Sequence, residues 1–244
     1  MPDGTMGVGG TTGAIGILGG TFDPVHSAHL ALAENARQKL RLERVLWVPA
    51  GQPWHRRPPL AGAAHRLAMV RLAIAGHAGF EVDDSEIDAA APGYTVETLT
   101  RLRKQYGAAR PLVLLLGADA FLGLATWHRW RDLFALAHIA VATRPGFDLA
   151  PAAMPAELAE QFRQRLRGQP HYVGAAAAPQ SPTREGGPGG AGENVAGHIL
   201  TFPLSAGTVS GTATRALLAA GKDPGDWLPP AVLGYIRTHH LYAT

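Results

Sequence analysis

The chain has 244 residues, of which 46% are hydrophobic, and it carries a formal net charge of +3 at pH 7 without any cysteine. A chain of this length can bury one substantial core, so a single α/β domain is the default expectation. The lack of cysteine excludes disulfides, thiolate catalysis and cysteine-ligated metals, and the modest charge gives no argument for nucleic acid as a partner. No apolar run approaches the roughly 18 residues of a membrane helix, so we expect a cytoplasmic protein that does not contact a membrane.

The first informative stretch combines a strand, a glycine loop and a helix start. Residues 1–13 are rich in Gly and Thr and are expected to form a flexible N-terminal tail. Apolar residues over 14–18 then predict a buried strand, and the glycines that follow it allow backbone N–H groups to approach an anion. A helix that starts near Val25 would place His26 and His29 on one face of its first turn, at the positive end of the helix dipole. This combination predicts a site for a phosphate chain.

The rest of the chain alternates between predicted strands and helices. The run Leu112 to Leu116 is continuously apolar and is predicted to be the central strand. The alternation predicts an α/β fold with a doubly wound parallel sheet, in one domain over 14–244. Residues 174–197 lack apolar periodicity and are predicted to form a disordered surface insertion. The other predicted strands cover 44–50, 80–87, 138–143 and 198–203, and the predicted helices cover 27–40, 63–78, 212–220 and 232–241, with two more that start at about 95 and 118.

Two stretches resemble signatures of one enzyme class. The segment G-G-T-F-D-P-V-H-S-A-H, residues 19–29, resembles the G-x-F-x-P-x-H-x-G-H signature of nucleotidyltransferases, which join a nucleoside monophosphate to another phosphate. It departs from that signature at Ala28, where glycine is usual. The segment V-S-G-T-A-T-R, residues 209–215, is similar to the I-S-S-T-x-I-R signature of the same superfamily and departs from it at Gly211 and Thr214. Hydroxyl groups and an arginine at a helix N-terminus are donors that suit phosphate oxygens.

Further stretches resemble bacterial nicotinate-nucleotide adenylyltransferases in particular. Residues 47–56, W-V-P-A-G-Q-P-W-H-R, are similar to the V-P-x-x-x-P-P-H-K loop of these enzymes. Residues 93–99, G-Y-T-V-E-T-L, are similar to their S-Y-T-v-d-T-L helix start. Their core and C-terminal patterns match this chain at 117–119, 127–130, 144–146 and 228–242.

The resemblance implies a Rossmann-like nucleotidyltransferase fold and transfer of AMP from ATP to nicotinate mononucleotide, giving deamido-NAD and pyrophosphate in NAD biosynthesis. A nicotinate ring is a flat aromatic that carries a carboxylate, so a stacking aromatic and N–H donors suit it. Mg²⁺ is expected to arrive bound to ATP, because no carboxylate cluster lies near the motifs, and homo-oligomer formation is left open. The implied catalytic residues are His26, His29 and Arg215. The implied ATP-binding residues are Gly19, Gly20, Thr21, Phe22, Asp119, Ser210, Thr212 and Arg215, and those implied for nicotinate mononucleotide are His55, Arg56, Tyr94, Thr95, Trp127 and Arg144.

Other interpretations of the same residues stay open at this point. Trp127 could be a core aromatic, and Thr95, Asp119 and Ser210 could be ordinary helix caps. Pantetheine-phosphate and nicotinamide-nucleotide adenylyltransferases share the histidine signature, and a nucleotide-sensing module without chemistry would share the phosphate loop. A Rossmann dehydrogenase is disfavoured, because the glycines over 16–20 do not give G-x-G-x-x-G and no acidic residue follows about 20 residues later at a strand end.

Overall fold

The computed structural model describes residues 13–53, 58–88, 93–143, 149–167, 195–204 and 209–243. The strands in these ranges are β1 (Ile15–Gly20), β2 (Arg44–Pro49), β3 (Phe80–Val82), β4 (Leu112–Gly117), β5 (His138–Thr143) and β6 (Ile199–Pro203). They form one sheet in the order β3-β2-β1-β4-β5-β6, and every pair of neighbouring strands is parallel. The predicted doubly wound parallel sheet is therefore confirmed.

The two central strands are apolar along almost their whole length. β1 pairs with β2 on one side, from Ile15 beside Arg44 to Gly20 beside Pro49, and with β4 on the other side. The β4 residues Leu112 to Leu116 are all buried, as expected for a strand that helices cover on both faces. The prediction that this run lies at the centre of the sheet is confirmed.

Helices pack on both faces of the sheet. The helices are α1 (Ser27–Lys39), α2 (Ala63–Ile74), α3 (Thr95–Tyr106), α4 (Ala118–Leu122), α5 (Leu133–Leu136), α6 (Ala156–Arg165), α7 (Gly211–Ala219) and α8 (Pro230–Thr238). One core joins the sheet to α1, α2 and α8 through residues such as Ala36, Met69 and Ile236. The other core joins it to α3, α4, α5 and α6 through residues such as Leu99 and Leu158. Burial of these two apolar layers holds the strand ends, and the loops that follow them, in fixed positions.

The structure corrects the predicted strand over 80–87. The strand spans only Phe80–Val82. Asp83 turns the chain directly after it, because its carboxylate accepts hydrogen bonds from the backbone N–H and the hydroxyl of Ser85, at 3.2 and 2.5 Å. Such a local bond between a side chain and the backbone competes with continued strand pairing.

Helix boundaries also differ from the predicted ones. The helix expected over 63–78 ends at Ile74, shortly before Gly76, whose φ of 82° does not continue a right-handed helix. The terminal helix expected over 232–241 is α8, which starts earlier, at Pro230. Proline suits the first turn of a helix, where no N–H is needed. α6 has no predicted counterpart, because its buried face is limited to Leu158, Ala159 and Phe162.

Two predicted segments fall largely outside the described residues. The predicted tail lies outside them except for Gly13, and the predicted insertion over 174–197 lies outside them up to residue 194. Within the described part, Gly197 donates its N–H to the carbonyl of Ala137 at 3.1 Å. The flexible tail and the disordered insertion both stay predictions. None of the helices in the described ranges is long and apolar enough to cross a membrane.

Candidate active site

A cavity of about 890 Å³ opens at the carboxyl ends of the central strands. The strand order reverses between β1 and β4, because β1 leads to β2 on one side and β4 leads to β5 on the other. Open parallel sheets bind their ligands in the crevice at such a switch point. The predicted site residues that line this cavity are Gly19, Gly20, Thr21, Phe22, His26, His29, Thr95, Asp119, Trp127, Ser210, Thr212 and Arg215. The fold therefore brings together residues from distant parts of the chain.

The two glycines at the end of β1 serve different purposes. A Cβ atom on Gly19 would meet no atom within 4 Å, so this position faces open space. A Cβ atom on Gly20 would lie 2.9 Å from the ring of Phe22 and would crowd it. Phe22 is 2% exposed, and its ring packs edge-on against His29, with 5.0 Å between ring centroids, and against Trp47 at 5.5 Å. Phe22 therefore supports the imidazole of His29 from within the protein.

The two histidines are in direct contact at the start of α1. α1 begins at Ser27, as the predicted helix over 27–40 expects and not near Val25, and His26 is the extended residue that precedes the helix. The rings of His26 and His29 stack with 3.8 Å between centroids. The backbone N–H of His26 donates to Nδ1 of His29 at 3.2 Å. Because Nδ1 accepts this bond, neutral His29 carries its proton on Nε2, the ring nitrogen that can donate to a phosphate oxygen.

His26 is held in its neutral form. Burial lowers the pKa of His26 from 6.5 to about 4, because a charged imidazole loses more hydration there than a neutral one. Its side chain faces the backbone N–H of His29 in a capping-box arrangement, in which the His29 side chain in turn accepts from the backbone of His26. His26 therefore helps to fix the start of α1.

Asp23 joins three parts of the chain behind the phosphate loop. Its buried carboxylate accepts hydrogen bonds from the N–H groups of Leu60 at 2.9 Å and Ala61 at 3.1 Å, and from the hydroxyl of Tyr242 at 2.7 Å. Its backbone carbonyl accepts a hydrogen bond from Nη1 of Arg215 at 2.6 Å. The segment before α2, the segment after α8 and helix α7 are thus fixed to the same residue.

Arg66, on α2, is a second buried connector. Its side chain is 1% exposed and donates to the carbonyls of Thr21 at 2.7 Å, Ala50 at 2.6 Å, Gly51 at 2.9 Å and Ala61 at 3.1 Å. These bonds satisfy the nitrogens of a guanidinium group that would otherwise be very costly to bury. Arg66 therefore holds the phosphate loop against the segment that follows β2.

Asp23 and Arg66 were not predicted to be residues that hold the site together. The only available signal for Arg66 was a cation inside the apolar pattern of α2, where an arginine is unexpected unless it is paired. Asp23 lies inside the recognised motif, but its partners are 37, 38 and 219 positions away, and periodicity gives no information about such distant contacts.

The start of α7 presents a cation to the cavity. Ser210 is the N-cap, and its Oγ accepts a hydrogen bond from the N–H of Ala213 at 3.2 Å, as the capping interpretation expects. Nη2 of Arg215 donates to Oγ1 of Thr212 at 3.3 Å. A Cβ atom on Gly211 would lie only 3.3 Å from Nη1 of Arg215. The glycine at this position, a departure from the family signature, leaves room for the guanidinium group.

The start of α3 and the Trp127 segment form another end of the cavity. Thr95 is the first residue of α3, and Trp127 is half-buried and lines the cavity, so it is not a fully buried core residue. Tyr94 is not among the lining residues. Its ring lies against that of His128, with 4.4 Å between centroids, so the structure places it as a contact between α3 and the Trp127 segment.

Asp119 is exposed in the first turn of the short helix α4, whose N-cap is Gly117. The capping interpretation of Asp119 and Thr95 is therefore wrong, because Gly117 and Tyr94 occupy the two N-cap positions. Ala28 lies on the cavity wall together with Asp119, so the methyl group that replaces the usual glycine hydrogen borders the ligand space.

Glu86 is a half-buried carboxyl group at the same end of the cavity. It accepts a hydrogen bond from Oγ1 of Thr98 at 2.5 Å. A Cβ atom on Gly93 would lie 2.1 Å from Oε2 of Glu86, so a side chain there would displace the carboxyl group from its present position. Burial raises the pKa of Glu86, against the opposing effect of the Thr98 hydrogen bond. Glu86 thereby fixes the chain just before Thr95.

Three predicted acceptor-binding residues, His55, Arg56 and Arg144, lie outside the described residues. Their roles stay predictions. Gln52 and Pro53 lead towards the first two from the end of β2, and Pro53 lines the cavity.

Comparisons with known proteins agree with this arrangement. The Cytidylyltransferase-like family model matches residues 17–183, which is more than half of the chain. Together with the parallel sheet and its switch-point cavity, this match defines an α/β protein of the cytidylyltransferase-like class.

Relatives that are similar over nearly the whole chain identify the family within this class. The chain is 50% identical over 228 residues to a "Probable nicotinate-nucleotide adenylyltransferase" of Dechloromonas aromatica (strain RCB), which covers 93% of this chain and 97% of that protein. It is 44% identical to the protein of the same name from Laribacter hongkongensis (strain HLHK9), over 94% of each chain. This chain belongs to the nicotinate-nucleotide adenylyltransferase family.

Solved structures support the fold independently. A structure of Plasmodium falciparum nicotinic acid mononucleotide adenylyltransferase complexed with NaAD matches with a TM-score of 0.67, over 94% of this chain and 97% of that one. The sequence identity is 14%, so this likeness concerns the fold.

Proposed function

We propose that this protein transfers AMP from ATP to nicotinate mononucleotide and releases deamido-NAD and pyrophosphate, a step of NAD biosynthesis. One observation carries the proposal: a single cavity is lined by the starts of three segments. The first residues of α1 and α7 bring hydrogen-bond donors to one side of it, and Thr95 and Trp127 line the other side. The names of relatives that are 42–50% identical over more than nine tenths of the chain support the same reaction.

The reaction needs positioning and charge stabilisation more than a protein nucleophile. The 5′-phosphate oxygen of the acceptor attacks the α-phosphorus of ATP, the bond from that phosphorus to the bridging oxygen breaks, and pyrophosphate leaves with the electron pair. His29, with its proton on Nε2, is suited to donate to an oxygen of the α-phosphate as negative charge builds there. Arg215 is suited to the phosphate chain, because a guanidinium group binds phosphate oxygens in a bidentate way.

Mg²⁺ is proposed to enter with ATP. Within the described ranges, no group of three or more His, Asp or Glu side chains could hold a metal ion. The donor set of this cavity, imidazoles and a guanidinium, suits phosphate oxygens more than a hard cation. When bound, the ion neutralises charge on the triphosphate, and the protein aligns the complex through His26, His29 and Arg215.

The acceptor is proposed to lie with its ring against Trp127 and its carboxylate near the start of α3. The first N–H groups of a helix have no partner within the helix and favour an anion. Thr95 adds a hydroxyl group at the same position. A cytoplasmic location and a homo-oligomer remain compatible with the proposal and are not needed for it.

Rates with alternative acceptors test the proposal. Nicotinamide mononucleotide would bring an NH₂ group to a site that offers donors, and it lacks the charge that strengthens the bonds. We expect kcat/KM for nicotinate mononucleotide to exceed that for the amide by about 100-fold or more, with pantetheine phosphate inactive. Thr95→Val should reduce the ratio. A wild-type preference for the amide or for pantetheine phosphate would assign the chain to a sibling enzyme, and ATP binding without pyrophosphate release would indicate a sensor.

A further inference from the structure

The residue that carries this inference is Tyr242, which lies beyond the end of α8. It is 9% exposed, and its hydroxyl donates to Oδ1 of Asp23, a residue 219 positions earlier in the chain, at 2.7 Å. Its φ of 66° lies in the left-handed region, which a bulky residue rarely adopts. Such a conformation persists only where the surrounding structure holds it. Tyr242 is therefore firmly placed behind the phosphate loop, although it does not line the cavity.

The carboxylate of Asp23 forms an ion pair with Arg215 but no hydrogen bond. Oδ1 accepts hydrogen bonds from Ala61 and Tyr242, and Oδ2 accepts one from Leu60. Nη1 of Arg215 lies 3.8 Å from Oδ2, beyond hydrogen-bond distance, and instead donates to the backbone carbonyl of Asp23 at 2.6 Å. A buried carboxylate so close to a guanidinium group would also accept a charge-assisted hydrogen bond from it if its own oxygens lacked donors.

We propose that Tyr242 is a positioning residue for Arg215: its hydroxyl satisfies the Asp23 carboxylate and thereby leaves the Arg215 guanidinium directed at the phosphates of ATP. This inference rests on the proposed function for the role of Arg215. Without the hydroxyl, the Asp23 carboxylate keeps only the N–H groups of Leu60 and Ala61, so more of its charge is left uncompensated and attracts the guanidinium group more strongly. A movement of about 1 Å would then bring Nη1 of Arg215 from 3.8 Å to hydrogen-bond distance of the carboxylate and turn it from the ligand.

Arg66 cannot take over the function of the lost hydroxyl. Its guanidinium nitrogens already donate to the carbonyls of four residues in three loops. Moving Arg66 towards Asp23 would break these bonds and leave buried carbonyls unpaired, which is costly. Arg215, whose side chain is 28% exposed, has more freedom to move.

Tyr242→Phe tests the proposal, with Tyr235→Phe as the matched control. Tyr235 lies on α8 and its hydroxyl is 3.0 Å from Nδ1 of His65, away from the cavity. We expect Tyr242→Phe to raise the Kd for MgATP, measured by calorimetry, and to lower kcat/KM for ATP, each by about 5- to 20-fold, the effect of one weakened charge-assisted contact. KM for nicotinate mononucleotide should stay within about two-fold, and Tyr235→Phe should behave as wild type.

A double-mutant cycle separates positioning from general destabilisation. In an Arg215→Ala background, Tyr242→Phe should change the Kd for MgATP by less than about two-fold, because the residue through which it acts is gone. Full additivity would overturn the proposal. So would an unchanged ATP Kd in the single variant, or equal weakening of both substrates together with a lower Tm.

The two proposals fail in different ways. A wild-type protein that binds MgATP but transfers no AMP to a pyridine mononucleotide would refute the proposed function, while the Kd for MgATP would still decide the role of Tyr242. A fully active wild type with an unaltered Tyr242→Phe variant would refute the role of Tyr242 alone.

Discussion

The two halves of the cavity are built from different kinds of contact. The half assigned to ATP is cross-linked by buried polar bonds, in which Asp23 and Arg66 together contact the segments around Thr21, Ala50, Leu60, Ala61, Arg215 and Tyr242. Among the described residues, the half assigned to the acceptor combines ring packing, such as that of Tyr94 on His128, with two polar contacts to α3, those of Glu86 with Thr98 and of Asp83 with Arg101. The half where negative charge must be stabilised is thus preorganised by buried charge-assisted bonds to the phosphate loop itself, and the described part of the other half presents aromatic surface that polar contacts support from α3.

The largest expected loss of activity follows from a substitution in the ATP half. His29→Ala should lower kcat by about 100- to 1,000-fold and leave KM for nicotinate mononucleotide within a few-fold, because its contact strengthens only as charge builds on the α-phosphate. His77→Ala removes an exposed imidazole outside the cavity and serves as the control. Steady-state kinetics give both values, and a kcat near that of wild type would remove His29 from the chemistry.

The desolvation of the ATP half predicts a pH-dependent stability. Because burial lowers the pKa of His26 to about 4, the unfolded chain, with an ordinary pKa near 6.5, takes up a proton more readily than the folded protein. The stabilising contribution is complete above pH 6.5 and is lost as the pH falls to about 4. The free energy of unfolding should drop by up to about 3 kcal/mol over this range.

Urea unfolding of wild type and of His26→Gln, which does not titrate, measures this effect as the difference between the two pH profiles. Equal slopes in both proteins would mean that His26 is hydrated, and the contrast between the halves would lose its electrostatic basis.

Substitutions in the acceptor half should change the kinetic constants less, and should affect one substrate more than the other. Trp127→Ala should raise KM for nicotinate mononucleotide by about 10-fold, the contribution of one aromatic stacking contact, and leave KM for ATP within about two-fold. Trp227→Ala, which changes a half-buried tryptophan that does not line the cavity, is the control. An equal rise in both KM values would show that Trp127 supports the whole cavity and does not contact the acceptor alone.

The sequence predicted the local parts of this site and missed the contacts that hold them together. The apolar run of β1, its glycines and the two histidines form a continuous pattern, and the alternation of strands and helices determines which loops meet at the switch point. The apolar spacing over 27–40 gave the start of α1 correctly, but it did not show that His26 is an extended cap and not a residue of the first helical turn. Tyr94 and Thr95 are neighbours in sequence, yet only Thr95 reaches the cavity. Such one-residue distinctions depend on packing that periodicity does not encode.

The way Arg66 holds the loops matters for protein engineering. All of its hydrogen bonds go to main-chain carbonyls, so the clamp does not depend on which side chains Thr21, Ala50 and Ala61 carry. Side-chain libraries at Thr21 and Ala50, which line the cavity, should therefore yield altered substrate preferences without loosening the loops. Gly51 is the exception, because a Cβ atom there would lie 1.9 Å from the carbonyl oxygen of Glu86. Because Arg66 bonds to the backbone of these loops, the side chains that line the cavity can be changed without loss of its hydrogen bonds.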